Sequence, residues 1–525
     1  MSNRYIVLSI GPIYKTMMSA KRTRELWGAS YLFSWIMKRM IYRLNKAGFS
    51  NEDFIVPYVN TTTPASPNGV GLFPDMLLLK LSNGKDEKLF EEVLKAFKED
   101  ELTRELHNIS GIDTPSVLRF VKDYFRFAYQ EFEEKDNEKP IITAGKISSQ
   151  LELRNRVNSQ GHINPITKLL DRANNSFLSI DGFGTRHRFP TLIHIATKQL
   201  ALLDKDEHDA LWDKSENEDE ERLFVTALQQ SERFNDDFRN YHKYIAIIKA
   251  DGDRIGKTIE EWTGDLRAFS EKLYDFGLTA AASIRDYGGV PIYLGGDDLL
   301  FFAPVNNGTS DIFTLCNTLS NNFSQQFTVE NPPTLSFGIA IGYYKYPLYS
   351  ALEEADNLLY RAKEPNRNGI AWRVLQHSGQ YFDERLNQSD EIFTQFKLLL
   401  HSPTLEKEHL KSVVQHFRRT DPALWQIIVN IPAEVTDEQG VKVLNEADIK
   451  PLNPRAIRIE AYFANFFNEK IHQSYKSFFT TLGELVALSL PAPSSDKETI
   501  ESALKTIYAL LRTVIFTKGY DLTDE

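Results

Sequence analysis

Three aspartates, Asp251, Asp297 and Asp298, are the side chains of this sequence best placed to do chemistry. Asp251 closes an apolar run, residues 244–248, and opens Asp251-Gly252-Asp253-Arg254-Ile255-Gly256-Lys257. Asp297 and Asp298 lie in Gly295-Gly296-Asp297-Asp298, between the apolar stretches 290–294 and 299–302. The second stretch reads as strand, tight turn, strand. Two apolar strands in one sheet would bring their acidic tips to one edge. Carboxylates so gathered repel unless a cation neutralises them or one holds a proton. Mg²⁺ or Mn²⁺ shared between such acids and substrate phosphates can serve an in-line displacement at phosphorus. Asp251, Asp297 and Asp298 are thus the expected catalytic and metal-binding acids, with Asp253 as a further candidate. Gly252, Gly295 and Gly296 permit tight turns and close approach of a triphosphate. Arg254, Ile255 and Gly256 stand where strand passes to helix, so their N–H groups could meet phosphate oxygens. A Gly-Gly-Asp-Asp hairpin alone reads as a surface turn; the second acidic strand end and the elements that follow change that reading.

Those elements are a helix-like segment through Leu273 and residues 279–282, then a strand at 334–343 and a helix at 348–363. Leu348, Leu352, Ala355, Leu358, Leu359 and Ala362 share one helical face. Lys363, at that helix's C-terminal end, either complements the helix dipole or holds a phosphate. Nearer the N-terminus, an apolar run at 4–13, a long helix at 17–37 and strands at 54–59 and 75–81 repeat the same order, which indicates an internal duplication. The first copy ends its opening strand in Ser9-Ile10-Gly11-Pro12, without a counterpart of Asp251. It should hold no metal and could wall off a second nucleotide. Asp75 reads as a turn residue rather than a ligand.

The order of an Asp-Gly-Asp strand end, a Gly-Gly-Asp-Asp hairpin, the strand Thr334-Leu335-Ser336-Phe337-Gly338-Ile339 and the helix Ala355-Asp356-Asn357-Leu358-Leu359-Tyr360-Arg361-Ala362-Lys363 resembles the palm of nucleotide cyclases and diguanylate cyclases. It is most similar to the large polymerase-like subunit of type III CRISPR effector complexes, as is Tyr344-Lys345-Tyr346-Pro347-Leu348. Gly11-Pro12 and residues 20–32 resemble the opening of the first palm in Cmr-type (III-B) large subunits. The resemblance implies an α+β fold with two palm (ferredoxin-like, nucleotide-cyclase-like) domains at 1–140 and 241–375, an insert at 141–240 and a C-terminal helical domain at 376–525. It implies ATP as substrate, metal at Asp251, Gly252, Asp297 and Asp298, and nucleotide contacts from Gly252, Asp253, Arg254, Ile255, Gly256, Gly295, Gly296, Ser336 and Lys363. The implied product is a cyclic oligoadenylate, or AMP joined to S-adenosylmethionine, made when target RNA pairs with a guide RNA. Other Cmr-type subunits and both RNAs are the implied partners. A non-catalytic scaffold, or a GTP-using diguanylate cyclase, are the alternatives.

At 525 residues, with 25% charged and 42% hydrophobic, the composition suits several globular domains. A net charge of −11 gives no bulk attraction to nucleic acid, so RNA contact requires local patches or partners. Candidate patches are Lys21, Arg22 and Arg24, the loop Thr185-Arg186-His187-Arg188-Phe189-Pro190, Arg418-Arg419 and Arg455; solvated faces and exposed ion pairs account for them equally. The single cysteine, Cys316, reads as buried and excludes an intrachain disulfide or a cysteine-rich zinc site, so no zinc is expected. His194 reads as a core histidine. His208-Asp209, in the acidic stretch 204–221, reads as part of a solvated charged helix, and no HD nuclease site is expected. Residues 84–135 read as mostly helical, including 87–98 and 116–134, with a charged linker at 131–139. Helices are expected at 390–400, 406–417, 457–468 and 500–516. The absence of a membrane span or leader pattern points to the cytoplasm.

Overall fold

A computed structural model of the chain describes residues 3–20, 22–60, 70–82, 84–153, 190–213, 218–402, 406–418, 444–445, 450–451, 454–467, 469–491 and 495–520. Lys21, the basic loop at 185–189 and Arg419 lie outside the described residues. The first unit runs β1 (Arg4–Gly11), α1 (Ile13–Met18), α2 (Thr23–Lys46), β2 (Phe54–Val56), β3 (Met76–Leu81), α3 (Glu87–Ala96), α4 (Thr103–Ser110), α5 (Thr114–Tyr124), β4 (Arg126–Glu133) and α6 (Pro140–Leu153). Its sheet has the order β2-β3-β1-β4, with every pairing antiparallel. Helices α7 (Leu192–Ala196), α8 (Lys205–Asp213) and α9 (Glu218–Gln230) follow.

The second unit repeats the plan with β5 (Tyr244–Asp253), α10 (Ile255–Glu261), α11 (Leu266–Asp286), β6 (Val290–Gly295), β7 (Asp298–Pro304), α12 (Ile312–Gln325) and β8 (Thr334–Tyr343). It then adds α13 (Leu348–Lys363), β9 (Gly369–Leu375) and β10 (Tyr381–Asn387). Its sheet order is β10-β9-β8-β5-β7-β6, and the part β8-β5-β7-β6 reproduces β4-β1-β3-β2 of the first unit. Both are ferredoxin-like palms, so the duplication read weakly from sequence is plain in the topology. The chain closes with α14 (Glu391–His401), α15 (Lys407–Arg418), α16 (Pro454–Phe466), α17 (Glu469–Ser474), α18 (Lys476–Ser489) and α19 (Lys497–Thr517).

The unbroken apolar run of β5 has a simple cause: this central strand is buried on both faces. Ala246, Ile248 and Ala250 join Phe269 and Phe276 of α11 and Phe313 and Phe323 of α12. The alternate residues Ile245 and Ile247 join Leu352, Ala355 and Leu358 of α13. Cys316 is fully buried in α12, as its setting predicts. Gly338 of β8 lets α13 lie almost on the sheet, since a Cβ there would stand 2.2 Å from Ala355 O. The C-terminal helices share this core: Trp372 of β9 stacks on Phe396 of α14 and donates from Nε1 to Thr513 Oγ1 of α19 at 3.0 Å.

Several local expectations need correction. The stretch 116–134 is not one helix but α5 followed by β4. Its second half, Arg126-Phe127-Ala128-Tyr129-Gln130-Glu131-Phe132, is rich in aromatics that suit a half-buried edge strand beside β1. The helix expected from 17 to 37 is divided between α1, which ends at Met18, and α2, which starts at Thr23. The strand expected to 59 stops at Val56. Arg455 is not exposed; it is buried and donates to the carbonyls of Leu490 and Pro491 beyond the end of α18. Helix α6, past the expected boundary at 140, packs Ile141, Ala144 and Ile147 with Tyr5 and Val7 of the first sheet.

Candidate active site

The acids are gathered by the register of three strands. On one side of β5, Ala250 pairs with Leu299, which puts Asp251 and Asp298 at the ends of adjacent strands. On the other side, Asp251 pairs with Ser336 of β8. Gly295 pairs with Asp298, so Gly296 and Asp297 form a two-residue hairpin loop. Gly296 has φ +75° while Asp297 does not share the left-handed region, the pattern of a type II′ turn. Gly252 sits directly under the hairpin: a Cβ there would stand 2.7 Å from Asp297 Oδ2 and 2.8 Å from Asp297 Cβ. Only glycine allows this approach.

Electrostatics record the same crowding. Asp297 and Asp298 reach solvent, yet protein surrounds them closely. Desolvation, then repulsion from Asp251, pushes the Asp297 carboxyl up to about 6; its backbone hydrogen bonding and Lys363 work against the rise. Asp298 is pushed well above the ordinary carboxylate range by desolvation, by Asp297 and by Asp251, with which it shares a hydrogen bond when protonated. Lys363 Nζ ion-pairs with Asp251 Oδ1. In this state, then, Lys363 is the cation of the cluster, a role different from either one expected for it. The donor set fits a hard divalent cation: oxygen donors only, clustered, and strained by their own charge. The carboxyl groups are held apart rather than closed into a cage, and Lys363 would have to leave Asp251 to meet a phosphate.

Two expected nucleotide contacts are engaged elsewhere. Asp253 is 1% exposed and Ser336 is 0% exposed. Ser336 Oγ donates to Asp253 Oδ2 at 2.9 Å, Thr334 Oγ1 donates to the same oxygen at 2.9 Å, and the backbone N–H of Asn368 donates to it at 2.8 Å. Asp253 therefore ties β5 to β8 and to the segment before β9. Arg254 is exposed with φ 62°, Ile255 is half-buried and Gly256 is exposed at the start of α10. Gly295 lies beneath the Tyr293 side chain, whose hydroxyl would stand 2.0 Å from a Cβ at that position.

The first unit contributes more than the sequence indicated. The backbone N–H of Leu294 donates to Gly71 O at 2.9 Å, and Ser30 Oγ of α2 donates to Ile292 O at 3.0 Å. The segment before β3 thus lies along edge strand β6. In register, Ser9 pairs with Met76 as Ala250 pairs with Leu299, so Asp75 is the counterpart of Asp298 and Ile10 that of Asp251. Asp75 is no ordinary turn residue. Burial, then repulsion from Glu152, raises its carboxyl to about 6, and its field reaches Asp298. Arg126 Nη2 donates to Ser9 Oγ at 3.2 Å and stands 3.6 Å from Glu152 Oε1. Tyr293 stands among these acids, its hydroxyl held neutral by burial and by Asp75, Asp298 and Asp297. Internal alignment of the two opening strands was the one signal that could have found Asp75.

His208 also departs from expectation. It is fully buried, edge-on to Phe224, because the insert's helices build an aromatic core around it. Among the described residues, no helix is long and apolar enough to cross a membrane.

Two palms of one strand order, the second carrying an acid pair on its hairpin, define a double-palm protein of nucleotide-cyclase architecture. The family described as Cas10/Cmr2, second palm domain, matches residues 244–371, and the one described as CRISPR-associated protein Cmr2, N-terminal, matches residues 5–106. Over these two stretches the chain is similar to Cas10/Cmr2 proteins. The CRISPR system Cmr subunit Cmr2 of Pyrococcus furiosus is 31% identical over 172 residues, 27% of this chain, and the match spans 20% of that relative's length. The crystal structure of Csm1 in T. onnurineus has a TM-score of 0.52 at 13% identity, covering 98% of this chain and 70% of that one. A Csm1–Csm4 cassette in complex with cA4 has a TM-score of 0.50 at 10% identity, with the same two coverages. These structural likenesses are likenesses of fold.

Proposed function

We propose that this chain is the nucleotidyltransferase subunit of an RNA-guided type III effector complex, converting ATP to a second messenger when target RNA is bound. The observation that carries the proposal is the crowding of Asp297 over Gly252 beside Asp251 and Asp298 at the ends of adjacent strands, which raises two of the carboxyls. A cluster that costs the folded chain free energy is retained where a cation or a reacting group repays it. Asp251, Asp297 and Asp298, with Gly252 beside them, would hold Mg²⁺ or Mn²⁺. When bound, the ion supplies neutralisation of charge on the triphosphate. A ribose hydroxyl forms a bond to the α-phosphorus, the bond to pyrophosphate breaks, and the hydroxyl proton passes to the carboxyl cluster. Lys363 moves from Asp251 to the triphosphate as the cluster is neutralised. The first palm, with Asp75 close to Tyr293 of β6 and the hairpin, forms the wall on the second substrate's side.

The product is a cyclic oligoadenylate or AMP joined to S-adenosylmethionine; the acid set serves either. That one relative in fold was crystallised with cA4 favours the former. Other Cmr-type subunits and the guide and target RNAs are the partners, and the cytoplasm is the setting. The test is the assembled complex incubated with labelled ATP and Mg²⁺, with and without target RNA and S-adenosylmethionine, with mass analysis of products. Target-dependent pyrophosphate release, abolished by Asp297→Ala with Asp298→Ala, is expected. No release would leave a scaffold, and RNA-independent turnover of GTP would indicate a diguanylate cyclase.

A further inference from the structure

A second group of metal-type donors lies outside the palm acids, in the insert. His194 on α7 and His208 and Asp209 on α8 place one ligand atom each within 4.8 Å of one another, and among the described residues they are the one such group. His194 Nε2 stands 3.8 Å from Asp209 Oδ1, and His208 Nδ1 stands 3.7 Å from the same oxygen. Donors around tetrahedral zinc are about 3.4 Å apart, given bonds of about 2.0–2.1 Å. Small side-chain rotations close that difference.

The tautomer of His208 is set by its other side. Thr197 Oγ1 donates to Ile193 O at 2.8 Å, which uses its only proton. The contact of 3.1 Å between Thr197 Oγ1 and His208 Nε2 is therefore an N–H donated by the imidazole. That leaves Nδ1 as a bare lone pair, fully buried, without a hydrogen-bond partner, and turned toward a carboxylate. A lone pair facing an anion is unfavourable unless a cation lies between them. Metal-bound histidines have the same arrangement, one nitrogen on the ion and the other fixed by an outer hydrogen bond.

We propose that His194, His208 and Asp209 bind a zinc ion that fastens α8 to α7. Two imidazoles and one carboxylate suit zinc, whereas Mg²⁺ and Ca²⁺ want more oxygens. Lys198 also lies close enough to Asp209 to act on its charge. Asp209 is 42% exposed on its side chain, so a fourth position opens to water. The single cysteine, Cys316, is buried in α12, so a cysteine-rich site is excluded while this one is untouched. Ile193 and Ile195 pack with Ile245, Ile247, Leu300 and Phe302, so zinc here would anchor the insert to the back of the strands that carry Asp251 and Asp298.

The test uses the full chain, stripped with chelator and titrated with Zn²⁺ and separately with Co²⁺. One zinc per chain and the intense visible bands of four-coordinate Co²⁺ are expected. Asp209→Asn, a partly exposed site, should weaken zinc binding by more than the about 10–100-fold typical of outer-shell changes, and Thr197→Val by about 10–100-fold. Zinc binding that survives Asp209→Asn unchanged, or that disappears with Asp297→Asn plus Asp298→Asn instead, would overturn the proposal. So would the absence of stoichiometric zinc in the wild-type chain.

Discussion

Replacing Asp297 by Asn should stabilise the chain when no divalent cation is present, by an amount that depends on pH. The carboxyl holds its proton to about 6 in the folded state, against 3.8 when unfolded. The folded state therefore binds the proton more tightly, and stability falls as pH climbs from the lower value through the higher. Integrating that difference gives a penalty of under about 1 kcal/mol at pH 4, about 2 kcal/mol at pH 5 and about 3 kcal/mol at pH 8. Asparagine keeps the shape without the charge, although it forfeits part of the carboxylate's own hydrogen bonding to the turn. A net gain of about 1–2 kcal/mol at pH 8 follows. At about 2–4 °C per kcal/mol, the melting temperature in chelator should rise by about 2–8 °C at pH 8 and by roughly half as much at pH 5. Saturating Mg²⁺ should raise the wild type and leave the variant nearly unmoved, since the ion relieves the same repulsion. Calorimetry of both proteins at the two pH values checks this. A variant that melts below wild type at pH 8, or whose advantage grows as pH falls, would refute the reasoning.

Two substitutions separate the reacting groups from those that position them. Gly252→Ala would put a Cβ 2.7 Å from Asp297 Oδ2 and from Ile255 Cγ1, so the hairpin acid must shift; turnover of ATP by the assembled complex should fall about 100-fold with little change in melting. Ser336→Ala removes a donor to buried Asp253 and should cost about 1.5–3 kcal/mol of stability. Its KM for ATP should stay within about twofold well below the melting point, because truncating a group with no ligand contact leaves substrate binding intact. A tenfold rise in KM at unchanged melting would instead place Ser336 against the nucleotide.

The second palm was legible because its strands are buried on both faces and its turns carry glycine and aspartate together. Strand β8 and helix α13 fall at the bounds that the apolar pattern gives. At Asp253 and Ser336 that pattern was silent on direction. Sequence shows that a polar residue ends a strand, but not whether it turns outward to ligand or inward to a neighbouring strand, and Asp253 turns inward. Strand β4 was missed because charged residues at Glu131 and Glu133 blurred an alternation that edge strands need only on one face. Asp75 and His208 were misjudged for a further reason. Their surroundings are assembled from distant segments, the hairpin of the second palm for one and the aromatic core of the insert for the other.

The central claim is that Asp251, Asp297 and Asp298 together hold divalent cation over a bound nucleotide. Anomalous scattering from crystals grown with Mn²⁺ and a non-hydrolysable ATP analogue measures this directly. The account predicts a manganese peak at coordination distance, about 2.1 Å, from oxygens of Asp251 and of the hairpin pair, with Lys363 swung from Asp251 to the triphosphate. Manganese bound elsewhere, or nucleotide seated with Lys363 still paired to Asp251, would contradict it.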